Sequence, residues 1–236
     1  MMTTLRSCVL TILLALLLSR AAAQEVSGEI KLREQKNDRL AKDASEVVIW
    51  LVPLDDNQRA RLETGRKLGR MTQHNKMFAP HLLVVPIGSI VSFPNLDPWF
   101  HNVFSLYRGK RFDLGLYEAG SQKDVRFDRP GPSYIFCNIH PEMVAVVLAV
   151  DSDFYAVSNE AGHWSVSGVP RGRYTLHVWY ENASPAALHS LERVVLVGDN
   201  GAVLTALDVQ VTPNDLVNHT NKYGRKYDPP ALAPVY

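Results

Sequence analysis

Cysteine is scarce in this chain, because its 236 residues contain only two, Cys8 and Cys137. Cys8 lies in the apolar leader described below, so the rest of the chain keeps Cys137 alone and cannot form an internal disulfide. A disulfide-stapled scaffold is therefore excluded, and the absence of a Cys-x-x-Cys-His motif excludes c-type haem. A lone cysteine is either a free thiol or a residue that a partner such as a metal holds in place.

An excess of charge of one sign is also lacking. The 25 Lys and Arg residues balance 24 Asp and Glu, and removing Arg6 and Arg20 with the leader gives a formal charge of −1. This leaves no basic surplus for nucleic acid or anionic lipid, so we expect no nucleic-acid partner. Motifs of hydrolases and of nucleotide binding, such as Gly-x-Ser-x-Gly, His-Glu-x-x-His and the phosphate loop, are missing as well.

Long hydrophobic runs are limited to the start of the chain. The apolar run of residues 9–18 is too short to span a bilayer. It follows Arg6 and precedes Ala21-Ala22-Ala23, a small-residue sequence typical of a cleavage site. We predict a secretory signal peptide over residues 1–23, and hence a periplasmic or secreted protein without a membrane span.

The remaining sequence predicts a mostly β protein. Aliphatic and β-branched runs recur every dozen residues or so between Gly, Pro, Asn and Asp. Residues 24–70 contain strand candidates at 26–32 and 46–54, followed by a charged segment at 55–68 that fits either a short helix or a solvated connector. Residues 71–150 contain six strand candidates, at 82–85, 90–93, 103–106, 124–127, 134–137 and 144–150. The last is wholly apolar, which indicates a central strand buried on both faces.

The potential ligands of a metal are gathered around Cys137. Cys137 ends a predicted strand, His140 and Met143 lie on the tight loop after it, and His101 lies upstream. One thiolate, two imidazoles and one thioether form the ligand set of a blue-copper site, in which His₂Cys binds in a near-trigonal plane and Met is a weak axial ligand. Taken singly, each residue has an ordinary structural explanation, and a metal-free site stays open.

Several motifs in residues 71–150 resemble the cupredoxin pattern. They are GSIVSFPNLD (88–97), His101-Asn102, FDRPG (127–131), YIFC (134–137) and HPEM (140–143). The short Cys-x-x-His-x-x-Met loop is most similar to that of amicyanin, and the whole chain resembles the cupredoxin-containing proteins often called methylamine utilisation proteins. The chain departs from the family where Val144-Ala145-Val146 stands in place of a glycine shortly after the methionine.

The resemblance implies one type 1 copper ion. His101, Cys137 and His140 would be its equatorial ligands and Met143 its axial ligand. Asn102 would tie the two ligand loops together by hydrogen bonding. Trp99 and Phe100, just before His101, fit either an apolar docking patch for a redox partner or loop packing over the site.

Residues 151–211 resemble a carboxypeptidase-regulatory-like (transthyretin-like) β-sandwich through the turns at 159–166 and 169–176. That family opens with two strands that residues 24–70 could supply, so we hypothesise that the cupredoxin is inserted into this second sandwich. The hypothesis requires Val48 to pair with the strand of Val166 or that of Leu176. The alternative is an N-terminal extension packed on the cupredoxin sheet. Residues 212–236 are expected to be an extended tail lying on the body.

The predicted fold class is thus mostly β, with a Greek-key cupredoxin sandwich and a second, transthyretin-like sandwich. Trp164 and Trp179 in the second sandwich could contact carbohydrate, by fold analogy, or belong to its core.

The predicted function is that of an exported electron carrier that exchanges single electrons with a redox protein partner. It is not an enzyme, since no bond is made or broken in a substrate. In this interpretation electrons pass through His140, near the surface, while Cys137 provides the coupling inward. The alternatives are a copper carrier or storage protein and a non-redox structural or carbohydrate-binding protein with a degenerate cupredoxin.

Overall fold

The computed structural model describes residues 24–35, 38–62, 67–106, 109–212 and 219–227. The predicted signal peptide lies outside the described residues, as do residues 213–218 and 228–236 of the predicted tail. In chain order the elements are β1 (Gln24–Glu34), β2 (Val48–Pro53), α1 (Asp56–Leu62), β3 (Leu68–Arg70), β4 (Thr72–His74), β5 (Met77–Ala79), β6 (Leu82–Pro86), β7 (Ser89–Pro94), β8 (His101–Ser105), β9 (Phe112–Tyr117), β10 (Gln122–Phe127), β11 (Gly131–Phe136), β12 (Val144–Val150), β13 (Tyr155–Val157), β14 (His163–Val169), β15 (Gly172–Trp179), α2 (Pro185–His189), β16 (Arg193–Val197), β17 (Ala202–Val203) and β18 (Leu207–Val211).

The fold is mostly β, as the sequence predicts. Neither helix in the described part of the chain has the length and apolar composition that crossing a bilayer requires. The charged segment after β2 forms the short helix α1, because the carboxylate of Asp55 accepts hydrogen bonds from the backbone amides of Asn57 and Gln58 at 2.9 and 3.1 Å. This is the N-cap that stabilises the first turn of a helix.

The central part of the chain forms a two-sheet sandwich. One sheet has the order β6-β12-β11-β8-β9 and the other the order β10-β7-β3. Their facing side chains form one core, which includes Phe93, Phe127, Ile135 and Val147. The arrangement is consistent with the predicted cupredoxin-like sandwich.

A second pair of sheets combines strands from both ends of the chain. Strand β1 pairs with β14, β17 and β18, and β2 lies between β13 and β15. Within these pairs Val26 is opposite Val166, and Val48 is opposite Trp179 in the strand that also contains Leu176. The second of these, between Val48 and the strand of Leu176, is the pairing that the insertion hypothesis requires. The family name of this second sandwich stays a prediction.

Strand β12 belongs to both cores. Its residues Val146, Leu148 and Val150 lie in the same core cluster as Trp164 and Tyr174, in the second sandwich. The alternate residues Ala145, Val147 and Ala149 lie in the core of the central sandwich. Because successive side chains of a strand point to opposite faces, one apolar strand is buried on both sides and joins the two sandwiches.

The two tryptophans considered for carbohydrate contact, Trp164 and Trp179, are both buried in the core of the second sandwich. Their rings are therefore placed among apolar side chains rather than towards solvent, as the alternation of residues along β14 and β15 favours.

The shared strand leads to a prediction about stability. Leu148 is 1% exposed, whereas Leu196, on β16, is 71% exposed. We expect Leu148→Ala to lower the free energy of unfolding by about 2–5 kcal/mol, since it leaves a cavity in a packed core. Leu196→Ala removes the same atoms from a solvent-exposed position and should change it by less than about 0.5 kcal/mol. Urea denaturation of both variants checks this, and equal losses would contradict it.

Candidate metal centre

Three of the predicted ligands converge at one end of the central sandwich. His101 is the first residue of β8, Cys137 directly follows β11, and His140 lies on the loop between β11 and β12. The pairing of Phe136 with Phe104 aligns β11 with β8 and so brings the two segments together. His101 and Cys137 are fully buried, and His140 is half-buried.

The donor atoms of these three side chains form a small triangle. The Sγ of Cys137 lies 3.7 Å from the Nδ1 of His101 and 3.6 Å from the Nδ1 of His140, and the two nitrogens are 3.2 Å apart. A metal about 2.0 Å from each nitrogen and about 2.3 Å from the sulphur, with bond angles of about 105–120°, would give N–S separations of about 3.4–3.7 Å and an N–N separation of about 3.2–3.5 Å. The triangle therefore fits a single metal ion.

The orientation of His101 is fixed by a buried carboxylate. Its Nε2 lies 2.8 Å from Oδ2 of Asp97, which is itself buried. An ionised carboxylate only accepts hydrogen bonds, so Nε2 carries the proton. In a neutral imidazole the unprotonated nitrogen is then Nδ1, and its lone pair faces Cys137 and His140. This carboxylate–histidine pair is typical of metal ligands and fixes the tautomer and orientation of the ring.

Asp97 is in turn held by a tight turn. The backbone amides of Asn75 and Lys76 donate hydrogen bonds to its two carboxylate oxygens at 2.6 and 2.9 Å. Both residues have positive φ values, 54° and 56°, as in the two-residue turns that join antiparallel strands, here β4 and β5. Burial opposes the charge of Asp97, but these amides and His101 outweigh it and lower the pKa of the carboxyl from its ordinary value.

Burial determines the protonation of the other two residues. It raises the pKa of the Cys137 thiol, against the opposing effect of backbone amides of Asn102, Ile139 and His140, which face the sulphur. Burial, followed by the proximity of His101, lowers the pKa of His140 from its ordinary value, which favours the neutral ring. A neutral imidazole is the form that binds metal, and a bound cation would favour the thiolate.

The fourth predicted ligand, Met143, is also buried and lies in the same core cluster as Cys137. The loop between them is closed by two backbone hydrogen bonds. The amide of Cys137 donates to the carbonyl of Met143 at 3.3 Å, and the amide of Met143 donates to the carbonyl of His140 at 3.1 Å. Met143 is thereby brought back to the level of Cys137 at the start of β12.

Asn102 connects to a neighbouring strand. Its Nδ2 donates to Oδ1 of Asp113, on β9, at 2.8 Å, while its buried Oδ1 has no hydrogen-bond partner among the described residues. Only its backbone amide faces Cys137. The contact of Asn102 with the other ligand segment therefore involves its main-chain amide, whereas its side chain bonds to β9.

The two aromatic residues before His101 are exposed. Trp99 and Phe100 are 44% and 55% exposed, and Ile139, next to His140, is exposed as well. The carbonyl of Trp99 accepts a hydrogen bond from Nδ2 of Asn95 at 2.8 Å, which anchors the loop while leaving both rings at the surface.

Asp97 is the site residue that sequence reasoning left without a role. It belongs to the GSIVSFPNLD motif and lies four residues before His101, and a carboxylate so near a candidate ligand histidine is a local signal for a hydrogen-bond partner of that histidine. Its partners in the turn at Asn75 and Lys76 come from more than 20 residues away, and only the fold brings them together.

Comparison with known proteins finds no matching family model and no matching curated protein. Solved structures do match. A copper-containing nitrite reductase from Thermus scotoductus SA-01 has 21% identity and a TM-score of 0.34, over 36% of this chain and 22% of that chain. A purple cupredoxin from Nitrosopumilus maritimus has 22% identity and a TM-score of 0.32, over 35% of this chain and 99% of that chain. An oxidised amicyanin variant has 16% identity and a TM-score of 0.33, over 37% of this chain and 87% of that chain. At these values the likeness carries no functional argument, so the case for a metal is the geometry of the ligand atoms.

The role of Asp97 predicts the effect of a single substitution on the metal-free protein. Asp97→Asn replaces an anionic acceptor of three hydrogen bonds by a neutral amide, and we expect it to lower the free energy of unfolding by about 1–3 kcal/mol. Asp128→Asn is the matched control, because that carboxylate is exposed and pairs with Lys110 at the surface. Its effect should stay below about 1 kcal/mol. Urea denaturation at pH 7 measures both, and an equal effect would contradict the buried role.

Proposed function

We propose that this chain binds one copper ion through His101, Cys137 and His140, with Met143 as a weak axial ligand, and carries single electrons between redox proteins outside the cytoplasm. The observation that carries this proposal is the triangle of Nδ1, Nδ1 and Sγ atoms, with the His101 lone pair directed into it by Asp97. Thiolate, imidazole and thioether together favour copper over the harder metal ions.

The surroundings of the site suit electron transfer. When bound, copper supplies a couple, Cu(I) and Cu(II), that needs little rearrangement in a rigid site. The protein provides that rigidity through the strands that carry His101 and Cys137 and through the two backbone hydrogen bonds of the ligand loop. Rotation of His101 is prevented by Asp97.

Exposure indicates where a partner would approach. Of the proposed ligands, His140 is half-buried whereas His101, Cys137 and Met143 are fully buried. The exposed side chains of Trp99, Phe100 and Ile139 belong to the two segments that carry the histidines. In our proposal these residues form an apolar docking patch, and His140 is the ligand through which electrons enter and leave.

The proposal is tested by adding Cu(II) to the protein. We expect an intense visible thiolate-to-copper charge-transfer band at one copper ion per chain, and no such band in Cys137→Ser, which keeps the size of the side chain but removes the thiolate. Unfolding measurements on both metal-free proteins serve as the control for folding. A wild-type protein that stays colourless under oxidising conditions refutes the electron-carrier proposal and favours a structural or binding role.

A second measurement separates an electron carrier from a copper carrier or storage protein. We expect electron self-exchange, followed by NMR line broadening in mixtures of the Cu(I) and Cu(II) forms, to be fast relative to copper release. Phe100→Lys should slow self-exchange about tenfold, because it places like charges opposite each other when two patches meet. Leu196→Lys, a similar change on the exposed face of β16, should not. Slow exchange with rapid copper release would support the copper-carrier alternative instead.

A further inference from the structure

The segment of residues 219–227 lies against the loop that carries Cys137 and His140. The hydroxyl of Tyr227 donates a hydrogen bond to the backbone carbonyl of Cys137 at 3.0 Å. The backbone amide of Lys222 donates to Oδ1 of Asn138 at 3.0 Å. Two adjacent residues at the start of the ligand loop are therefore hydrogen-bonded to a segment more than 80 residues further along the chain.

His219 stabilises the hydrogen bond between Tyr227 and Cys137. Nε2 of His219 lies 2.7 Å from the Tyr227 hydroxyl, and its ring packs against Phe136 with centroids 4.1 Å apart. Because the hydroxyl donates its single proton to Cys137, His219 must be the donor to Tyr227. The result is a directed chain of hydrogen bonds from His219 through Tyr227 to the carbonyl of Cys137. Such chains polarise and strengthen their members.

Lys222 extends the contact to the other ligand segment. Its Nζ lies 2.8 Å from Oδ2 of Asp113. Oδ1 of the same carboxylate accepts from Nδ2 of Asn102, which directly follows His101. Lys222 therefore contacts both ligand segments. Its backbone amide bonds to Asn138, the neighbour of Cys137, and its ammonium group pairs with Asp113, which bonds to Asn102, the neighbour of His101.

Residues 221–225 of this segment form a compact turn. Oδ1 of Asn221 accepts hydrogen bonds from the amides of Tyr223 and Arg225, both at 3.0 Å, and the amide of Asn221 donates to the carbonyl of Arg225 at 2.9 Å. Gly224 adopts the positive φ of 72° that the turn requires. Lys222 and Tyr227 are thereby held at a set spacing, so the two contacts form together.

From these contacts we propose that residues 219–227 form a C-terminal strap that holds the ligand loop in its metal-binding arrangement, with Lys222 and Tyr227 as positioning residues. For copper retention this inference rests on the proposed function. The ligand loop itself is closed by only two backbone hydrogen bonds, so it needs outside contacts to stay closed when the metal is absent. Each contact of the strap makes opening of the loop, and hence loss of the metal, less frequent.

The first test removes the Tyr227 hydroxyl alone. Tyr227→Phe should raise the hydrogen-exchange rates of the Cys137 and Met143 amides in the metal-free protein about three- to tenfold, and should speed the transfer of copper to a chelator by a similar factor. Tyr174→Phe is the matched control, since its hydroxyl also donates to a backbone carbonyl, that of Pro170, at 2.7 Å. It should leave both rates unchanged, because Tyr174 belongs to the core of the second sandwich.

The second test uses the charge of Lys222. Lys222→Met should accelerate both processes, whereas Lys222→Arg, which can still pair with Asp113, should restore most of the wild-type behaviour. Protection of amides in β12 should stay unchanged in all these variants. Faster exchange throughout the chain would indicate general destabilisation and overturn the positioning role.

The outcomes separate the two proposals. If the wild-type protein binds copper and Tyr227→Phe and Lys222→Met alter neither loop exchange nor copper release, the strap is refuted and the proposed function stands. If the wild-type protein binds no copper, the proposed function fails. Amide exchange in the metal-free loop then decides whether the strap positions the loop. Faster exchange in the two variants supports that role, and unchanged exchange overturns it.

Discussion

Burial of β12 on both faces is the constraint on which the other parts of the structure depend. The strand runs from Val144 to Val150, directly after Met143, and its alternate residues fill two different cores. A strand packed on both sides cannot shift its register without exposing one set of apolar residues and burying the other set against the wrong partners. The end of the ligand loop is therefore anchored by the same packing that joins the two sandwiches.

Two carboxylates extend this rigidity to the candidate ligands. Asp97 connects His101 to the turn at Asn75 and Lys76, and Asp113 connects Asn102 to Lys222. Each carboxylate accepts several hydrogen bonds, so moving either ligand segment would leave more than one polar group without its partner. Polar networks of this kind orient side chains more narrowly than apolar packing alone, and orientation is what a small triangle of donor atoms requires.

Agreement between sequence and structure is best where a local pattern carried the information. The apolar run of β12 predicted burial on both faces, and the turn-punctuated runs predicted β7, β10 and β11 to within a few residues. Strand β9 (Phe112–Tyr117) was not predicted. It is an edge strand in which Leu114 is only half-buried and Leu116 is exposed, and Gly115 interrupts the run of large apolar residues. The short strands β3, β4 and β5 have too few residues for any periodicity to be seen.

The sequence by itself determined the fold class and the identity of the candidate ligands, because residue type and short spacing are local properties. Cys137, His140 and Met143 are close in the sequence whatever surrounds them. Only the tertiary structure decided what holds those ligands. The turn at Asn75 and Lys76 holds Asp97 from more than 20 residues away, and the strap residues Lys222 and Tyr227 contact the ligand segments from more than 80 residues away. Such contacts follow from strand order and register, which are set by the packing of the whole molecule and leave no periodic signal in the sequence.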